Sequence, residues 1–273
     1  MSIWEYANPV KFLKLSDKVL PFFAGFSIIG LAIGLFWGFF FTPDDYRQGS
    51  TVKIIYLHVP AALMAINAWF MMLVASVIWL IRRHHVSALA AKAAAPIGVT
   101  MTMVALITGA LWGQPMWGTW WAWDPRLTSF LILFLFYLGY VALWSAIDNP
   151  DTAADLTSML CIVGSVFAIL SRYAVNFWNQ GLHQGASLSL DKEKNVADVF
   201  YQPLLFSIFG FVFYLGINAN IKGMSAKNAN KEDDNLENNE IENSFGVKKN
   251  LSEELDKLNN LLKDGVLTQE EFE

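Results

Sequence analysis

The sequence predicts an all-α, polytopic membrane protein: six transmembrane helices, both termini cytoplasmic (N-in/C-in), and a short cytoplasmic helical tail. Three observations predict it. Hydrophobic residues make up 55% of the 273-residue chain, above the roughly 45–50% usual for soluble domains. Several apolar runs exceed about 18 residues, the length that reads as a spanning helix. Lys and Arg concentrate in alternate segments between those runs, as the positive-inside rule requires.

The runs fall at about 18–41, 54–81, 92–112, 127–147, 157–175 and 203–221. With no water to satisfy the backbone, each must be helical. Lys11, Lys14 and Lys18 precede the first run. That run is too long for a signal-peptide core and lacks a small-residue cleavage site, so it reads as a retained anchor. Gly25, Gly30, Gly34 and Gly38 are expected to give it a small-residue face for close helix packing. Arg82, Arg83 and Lys92 join the second and third runs, and Lys222 and Lys227 follow the sixth. These three places share the cytoplasmic side. The segment after the fourth run carries only Asp148, Asp151 and Asp155. Segments at about 42–53, 113–126 and 176–202 then face outward.

Charge divides the chain. Residues 1–224 hold 13 Lys/Arg and 11 Asp/Glu, and residues 225–273 hold 6 and 13. The net −5 is thus +2 for the first part and −7 for the second, and neither is basic enough for nucleic acid. Three domains follow: 1–222, a six-helix membrane domain; 223–250, an acidic linker expected to be disordered; and 251–273, a short helical hairpin. In the last, Leu251, Leu255, Leu258, Leu261 and Leu262 recur at helical spacing. Gly265 fits a helix stop, and Thr268 with Glu271 fits a capping box. The hairpin is expected to mediate self-association or docking. The single cysteine, Cys161, lies in an apolar run and allows no internal disulfide or CxxC pair.

The chemistry concentrates in the second outward segment. Residues 112–129 read WGQPMWGTWWAWDPRLTS. A bilayer-interface belt also collects Trp, but singly or in pairs. Here Trp117, Trp120, Trp121 and Trp123 fall within seven positions. Rigid aromatic faces in such number suit a flat apolar ligand, each stack adding about 0.5–1.5 kcal/mol. Asp124 is placed to cap the helix that opens at Pro125. Arg126 either forks onto a ligand carboxylate or snorkels to the interface. Of four histidines, His84 and His85 follow Arg82 and Arg83 and read as a solvated cytoplasmic loop. His58, in YLHVPAA, and His183, in GLHQGAS, lie on the same outward face as the indoles. Two imidazoles suit the two axial positions of a haem iron. Zinc competes, but it normally takes three or four protein ligands, and Asp124 is the evident third candidate.

The string Trp117-Gly118-Thr119-Trp120-Trp121-Ala122-Trp123-Asp124 matches the tryptophan-rich signature W-G-x-x-W-x-W-D of haem-handling membrane proteins. With six spans, His58 before the signature and His183 after it, residues 1–222 resemble the haem exporter protein C (CcmC) family of cytochrome c maturation. The resemblance implies haem b (iron protoporphyrin IX) held at the periplasmic face of the bacterial inner membrane. His58 and His183 would be the iron ligands, with Trp117, Trp120, Trp121, Trp123, Asp124 and Arg126 around the haem. It implies delivery to the membrane-tethered haem chaperone CcmE, beside the ABC-type subunits CcmA and CcmB and the small membrane protein CcmD. It implies no hydrolytic chemistry, so the chain is not expected to be an enzyme. The acidic tail and terminal hairpin depart from the family pattern.

Two other classes fit less well. A permease, or an exporter component of an ABC-type complex, should carry polar groups near the bilayer midplane. The runs read as nearly free of charge, with Asn67 their most notable polar residue. A bare scaffold would use the indoles only as interface anchors and would purify without pigment.

Overall fold

A computed structural model describes residues 9–177 and 196–214, with 255–257, 260 and 263. The chain divides into two units, Met1–Gly223 and Met224–Glu273. In the second unit the few described residues are helical and exposed. The linker at 223–250 and most of the hairpin at 251–273 lie outside the described residues.

In the first unit every described element is helical. These are α1 (Pro9–Phe41), a 3-10 turn (Ser50–Ile54), α2 (Ile55–Arg82), α3 (His85–Trp117), α4 (Pro125–Ala146) and α5 (Pro150–Phe177), then α6 (Asp198–Tyr214). Five segments are long and apolar enough to cross a membrane: Lys18–Phe41, Ser50–Arg82, His85–Trp117, Pro125–Ala146 and Pro150–Ala174. The chain is therefore a multi-pass membrane protein. α6 is a shorter apolar helix, and it overlaps the sixth predicted run.

Among the boundaries that differ from the hydropathy reading, two have a capping reason. α3 does not stop at residue 112 but continues to Trp117. Gly118 ends it, with φ 75° and its N–H on the Gln114 carbonyl at 2.9 Å. That left-handed geometry is a standard glycine helix stop. α5 begins at Pro150 rather than near 157, because the Asn149 Oδ1 accepts from the Asp151 and Thr152 N–H groups at 3.0 and 2.9 Å. Hydropathy cannot see a cap.

α2 to α5 pack around one core. α3 is rich in Ala on the buried side, where Ala88, Ala91, Ala94, Ala95, Met101 and Ala105 recur at helical spacing. Small side chains let α2 and α4 approach. Trp69 of α2 fills the space, with its ring edge-on to Tyr137 at 4.6 Å. Its Nε1–H donates to Ser165 Oγ at 3.1 Å, and Tyr137 Oη–H donates to the Ala65 carbonyl at 2.7 Å. These two buried polar groups thus have partners, as a bilayer demands.

α1 pairs with α6 through small residues. A Cβ on Gly30 would lie 2.9 Å from Gly210 Cα, and one on Gly34 would lie 2.4 Å from Ser207 N. Ser27 Oγ–H donates to the Gly210 carbonyl at 3.0 Å. Gly38 instead faces the Tyr56 ring of α2. Gly25 is not part of this face: nothing lies within 4 Å of its would-be Cβ. Five residues separate it from Gly30, which at roughly 100° per residue turns it well off the i, i+4 stripe.

Candidate functional site

One end of the helices encloses a cavity of about 230 Å³. It is bounded by the start of α2, the end of α3, the start of α4, the end of α5 and the start of α6. His58 and Ala62 come from α2, Gly109 and Trp117 from α3, Arg126 and Phe130 from α4, Ser171 and Arg172 from α5, and Phe200 from α6; Trp121 comes from the loop between α3 and α4. Five distant stretches of sequence meet because their helices alternate in direction.

His58 is held from behind. Its Nδ1 lies 3.0 Å from the Ala105 carbonyl and 3.1 Å from Thr108 Oγ1. The Thr108 hydroxyl donates its own proton to the Val104 carbonyl at 2.7 Å. Both oxygens therefore act as acceptors for His58, which places the proton on Nδ1. Nε2 then carries the lone pair. This is the usual arrangement of a metal-binding histidine, with the second ring nitrogen tied to a backbone carbonyl. Gly109 makes room, since a Cβ there would lie 3.1 Å from His58 Cε1.

The four indoles separate into two pairs. Trp117 and Trp121 are half-buried and line the cavity. Trp120 and Trp123 are 59% and 75% exposed. Trp117 is braced edge-on by Trp112 at 5.2 Å, and Trp112 Nε1–H donates to Gln48 Oε1 at 2.8 Å. Trp121 meets Trp123 edge-on at 5.6 Å. Its Nε1–H is buried without a hydrogen-bond acceptor. A buried donor left unpaired costs about 1–3 kcal/mol, and here it belongs to an indole that lines the cavity.

Asp124 is the N-cap of α4, its Oδ1 accepting from the Leu127 N–H at 2.6 Å, with Pro125 at the first helical position. Arg126 lines the cavity, half-buried, within electrostatic reach of Asp124 and of Arg172. Sequence reasoning passed over Arg172. It lies inside a candidate span, so the runs are less free of charge than hydropathy suggested; a cation inside a span is itself the signal that would have found it. Lys53 is paired with Asp44 at 3.4 Å. Arg47 lies over the Tyr46 ring at 5.3 Å. His183 and Trp178 lie outside the described residues. Among the described residues no three His, Cys, Asp or Glu side chains gather as a metal site.

His84 and His85 stand at the opposite end. His84 Nδ1 is 2.9 Å from Ser87 Oγ, and His85 is 3.8 Å from Asp151. Trp79 Nε1–H donates to Asp155 at 3.0 Å, and the Arg83 guanidinium pairs with the same carboxylate.

Residues 2–238 match the family described as CcmC, heme exporter protein C. The chain is 74% identical to heme exporter protein C of Rhodobacter capsulatus over 211 residues, covering 77% of this chain and 87% of that protein. Identity to the protein of the same name from Paracoccus denitrificans is 71%, with the same coverage. For Escherichia coli it is 41% over 211 residues, covering 77% of this chain and 84% of that protein. A match across nearly the whole membrane unit, at such identity, shows that the chain belongs to the heme exporter protein C family.

Proposed function

We propose that the protein binds haem b at the periplasmic face of the inner membrane and delivers it to the haem chaperone CcmE during c-type cytochrome biogenesis. The observation that carries this reading is the single cavity shared by His58, Trp117, Trp121 and Arg126. Those four residues supply a nitrogen lone pair, two aromatic faces and a cation, the donor set that a planar iron macrocycle with carboxylates requires. His58 offers Nε2 to the iron. In this reading His183 supplies the second axial nitrogen. Trp117 and Trp121 stack on the macrocycle, and Arg126 takes a propionate. Asp124 acts at one remove, by capping α4 and so fixing Arg126.

Transfer needs a ligand that is gripped and still reachable. The cavity, about 230 Å³, is smaller than the roughly 300–1,000 Å³ that encloses a drug-sized ligand. A haem seated there keeps an edge outside. Trp120 and Trp123 stand beside that edge, exposed to an arriving partner. Most lining residues lie towards one end of the helices, which favours a surface site over a permease path. No hydrolytic chemistry is assigned to the chain. The resemblance supplies CcmA, CcmB and CcmD as neighbours in the complex, with both termini cytoplasmic.

The test is an absorption spectrum of the purified protein with added haem. Substituting His58→Ala or His183→Ala is expected to shift the Soret and α/β bands from a six-coordinate, bis-nitrogen pattern. Unchanged bands in both variants would remove axial ligation, and with it this function.

A further inference from the structure

Arg172 is the feature that the proposed function does not use. It lines the same cavity as Arg126 but comes from a different helix, near the end of α5. The Trp69–Ser165 hydrogen bond aligns α2 with α5 at that level. At roughly 1.5 Å per residue, His58 lies about 16 Å outward from Trp69 and Arg172 about 10 Å outward from Ser165. Arg172 therefore sits about one helical turn deeper than His58, inside the candidate span Pro150–Ala174, and not on the rim.

Two guanidinium groups lining one cavity repel each other. Charged groups in a spanning helix are costly and are normally paired or face a polar cavity. Among the described residues neither arginine has a carboxylate in ion-pair contact. Asp124 acts on Arg126 electrostatically while its Oδ1 caps α4. Among the described residues Arg172 lies over the neighbouring Tyr173 ring, at 5.5 Å. The Trp121 ring lines the same cavity. The one carboxylate that also lines the cavity among the described residues, Asp45, has its Oδ1 taken by the Arg47 and Gln48 N–H groups at 2.8 and 2.9 Å, so two cations around one cavity fit a ligand with two anionic groups on one edge.

We infer that Arg172 and Arg126 form a two-point clamp for the paired propionates of haem, one guanidinium to each carboxylate. The clamp rests on the haem-binding reading and deepens it. It fixes which edge of the macrocycle enters the cavity: the carboxylate edge goes in, and the vinyl edge is left towards Trp120 and Trp123. It also makes the site select against porphyrins whose carboxylates are masked.

The test uses the full-length protein in detergent, titrated with haem and with haem dimethyl ester, whose esterified propionates carry no charge. Wild-type protein is expected to bind haem at least about tenfold more tightly than the ester. Arg172→Gln is expected to lose roughly tenfold for haem, equivalent to about 1.4 kcal/mol, and nothing for the ester, erasing most of the preference. Arg172→Lys keeps a point charge without the fork and should recover part of the preference. The propionate bending band in resonance Raman spectra should shift in Arg172→Lys relative to wild type, a readout that is independent of affinity. Equal weakening for haem and ester would make Arg172 structural and overturn the clamp, as would an Arg172→Gln variant that keeps the full preference. A wild-type protein that binds haem through His58 yet ignores the ester substitution sinks the clamp alone. One that binds neither ligand removes the haem reading itself.

Discussion

At the scale of single residues, the position of the His58 ring is set by what stands behind it. The Ala105 carbonyl and Thr108 hydroxyl hold Nδ1, while Gly109 lies flat against the ring edge. A methyl group at 109 would sit 3.1 Å from His58 Cε1, tighter than ordinary carbon–carbon contact near 3.5–4.0 Å. The ring must then give by a few tenths of an ångström, and Nε2 swings with it. Gly109→Ala is therefore expected to weaken haem binding several-fold and to perturb the Soret band. Thermal stability should change by no more than about 1 kcal/mol, because an overpacking cost at the low end of about 1–3 kcal/mol is offset by the roughly 1 kcal/mol that Ala gains over Gly inside a helix. Haem titration and thermal unfolding of the same preparation check both halves, and an unaltered spectrum would show that the ring is not held where the geometry puts it. None of this support was legible in the sequence. The candidate histidine could be picked out from its neighbours, but a carbonyl 47 residues away is brought to it only by the packing of α3 on α2.

At the scale of elements, the helices themselves were largely legible and their ends less so. Long apolar runs and positive-charge asymmetry are whole-segment properties, so α2 and α4 fall close to where hydropathy puts them. The ends of α3 and α5 depend on one glycine and one asparagine, which a hydropathy window averages away. Arg172 was lost in the same way, as one charge inside a run whose mean is apolar. The α1 stripe shows the converse, because helical phase, not glycine content, decides which glycines pack. Gly34 approaches Ser207 so closely that a Cβ would lie 2.4 Å from its backbone nitrogen, whereas Gly25 faces open space. Gly34→Ala must push α1 away from α6, at a cost of about 1–3 kcal/mol, and Gly25→Ala should be neutral or slightly stabilising. Thermal midpoints of the two variants in the same detergent separate these outcomes. Equal midpoints would mean that the α1–α6 seam does not contribute to stability in the bilayer-mimetic state.

At the scale of the whole membrane unit, the two ends differ in kind, and the difference bears on direction. The cavity end carries aromatic faces, His58 and two arginines in one recess. The opposite end carries Arg83 on Asp155, Lys92 over the Trp144 ring at 4.5 Å, and the adjacent histidines. Positive charge beside helix ends is retained on the cytoplasmic side, and the proposed topology accordingly puts the cavity end in the periplasm. Accessibility decides this directly, because the only cysteine, Cys161, is fully buried and gives a silent background. Tyr46 is 86% exposed at the cavity end, and the His85 side chain is 74% exposed at the other. With a membrane-impermeant thiol reagent on intact cells whose outer membrane is permeable to it, Tyr46→Cys is expected to label at once. His85→Cys should label only after the inner membrane is opened. The reverse pattern would turn the protein over, place the haem cavity in the cytoplasm, and leave no route to a chaperone on the far side. Labelling of both positions in intact cells would mean that the helices at 55–82 and 85–117 do not cross the bilayer in the way their length and apolarity require.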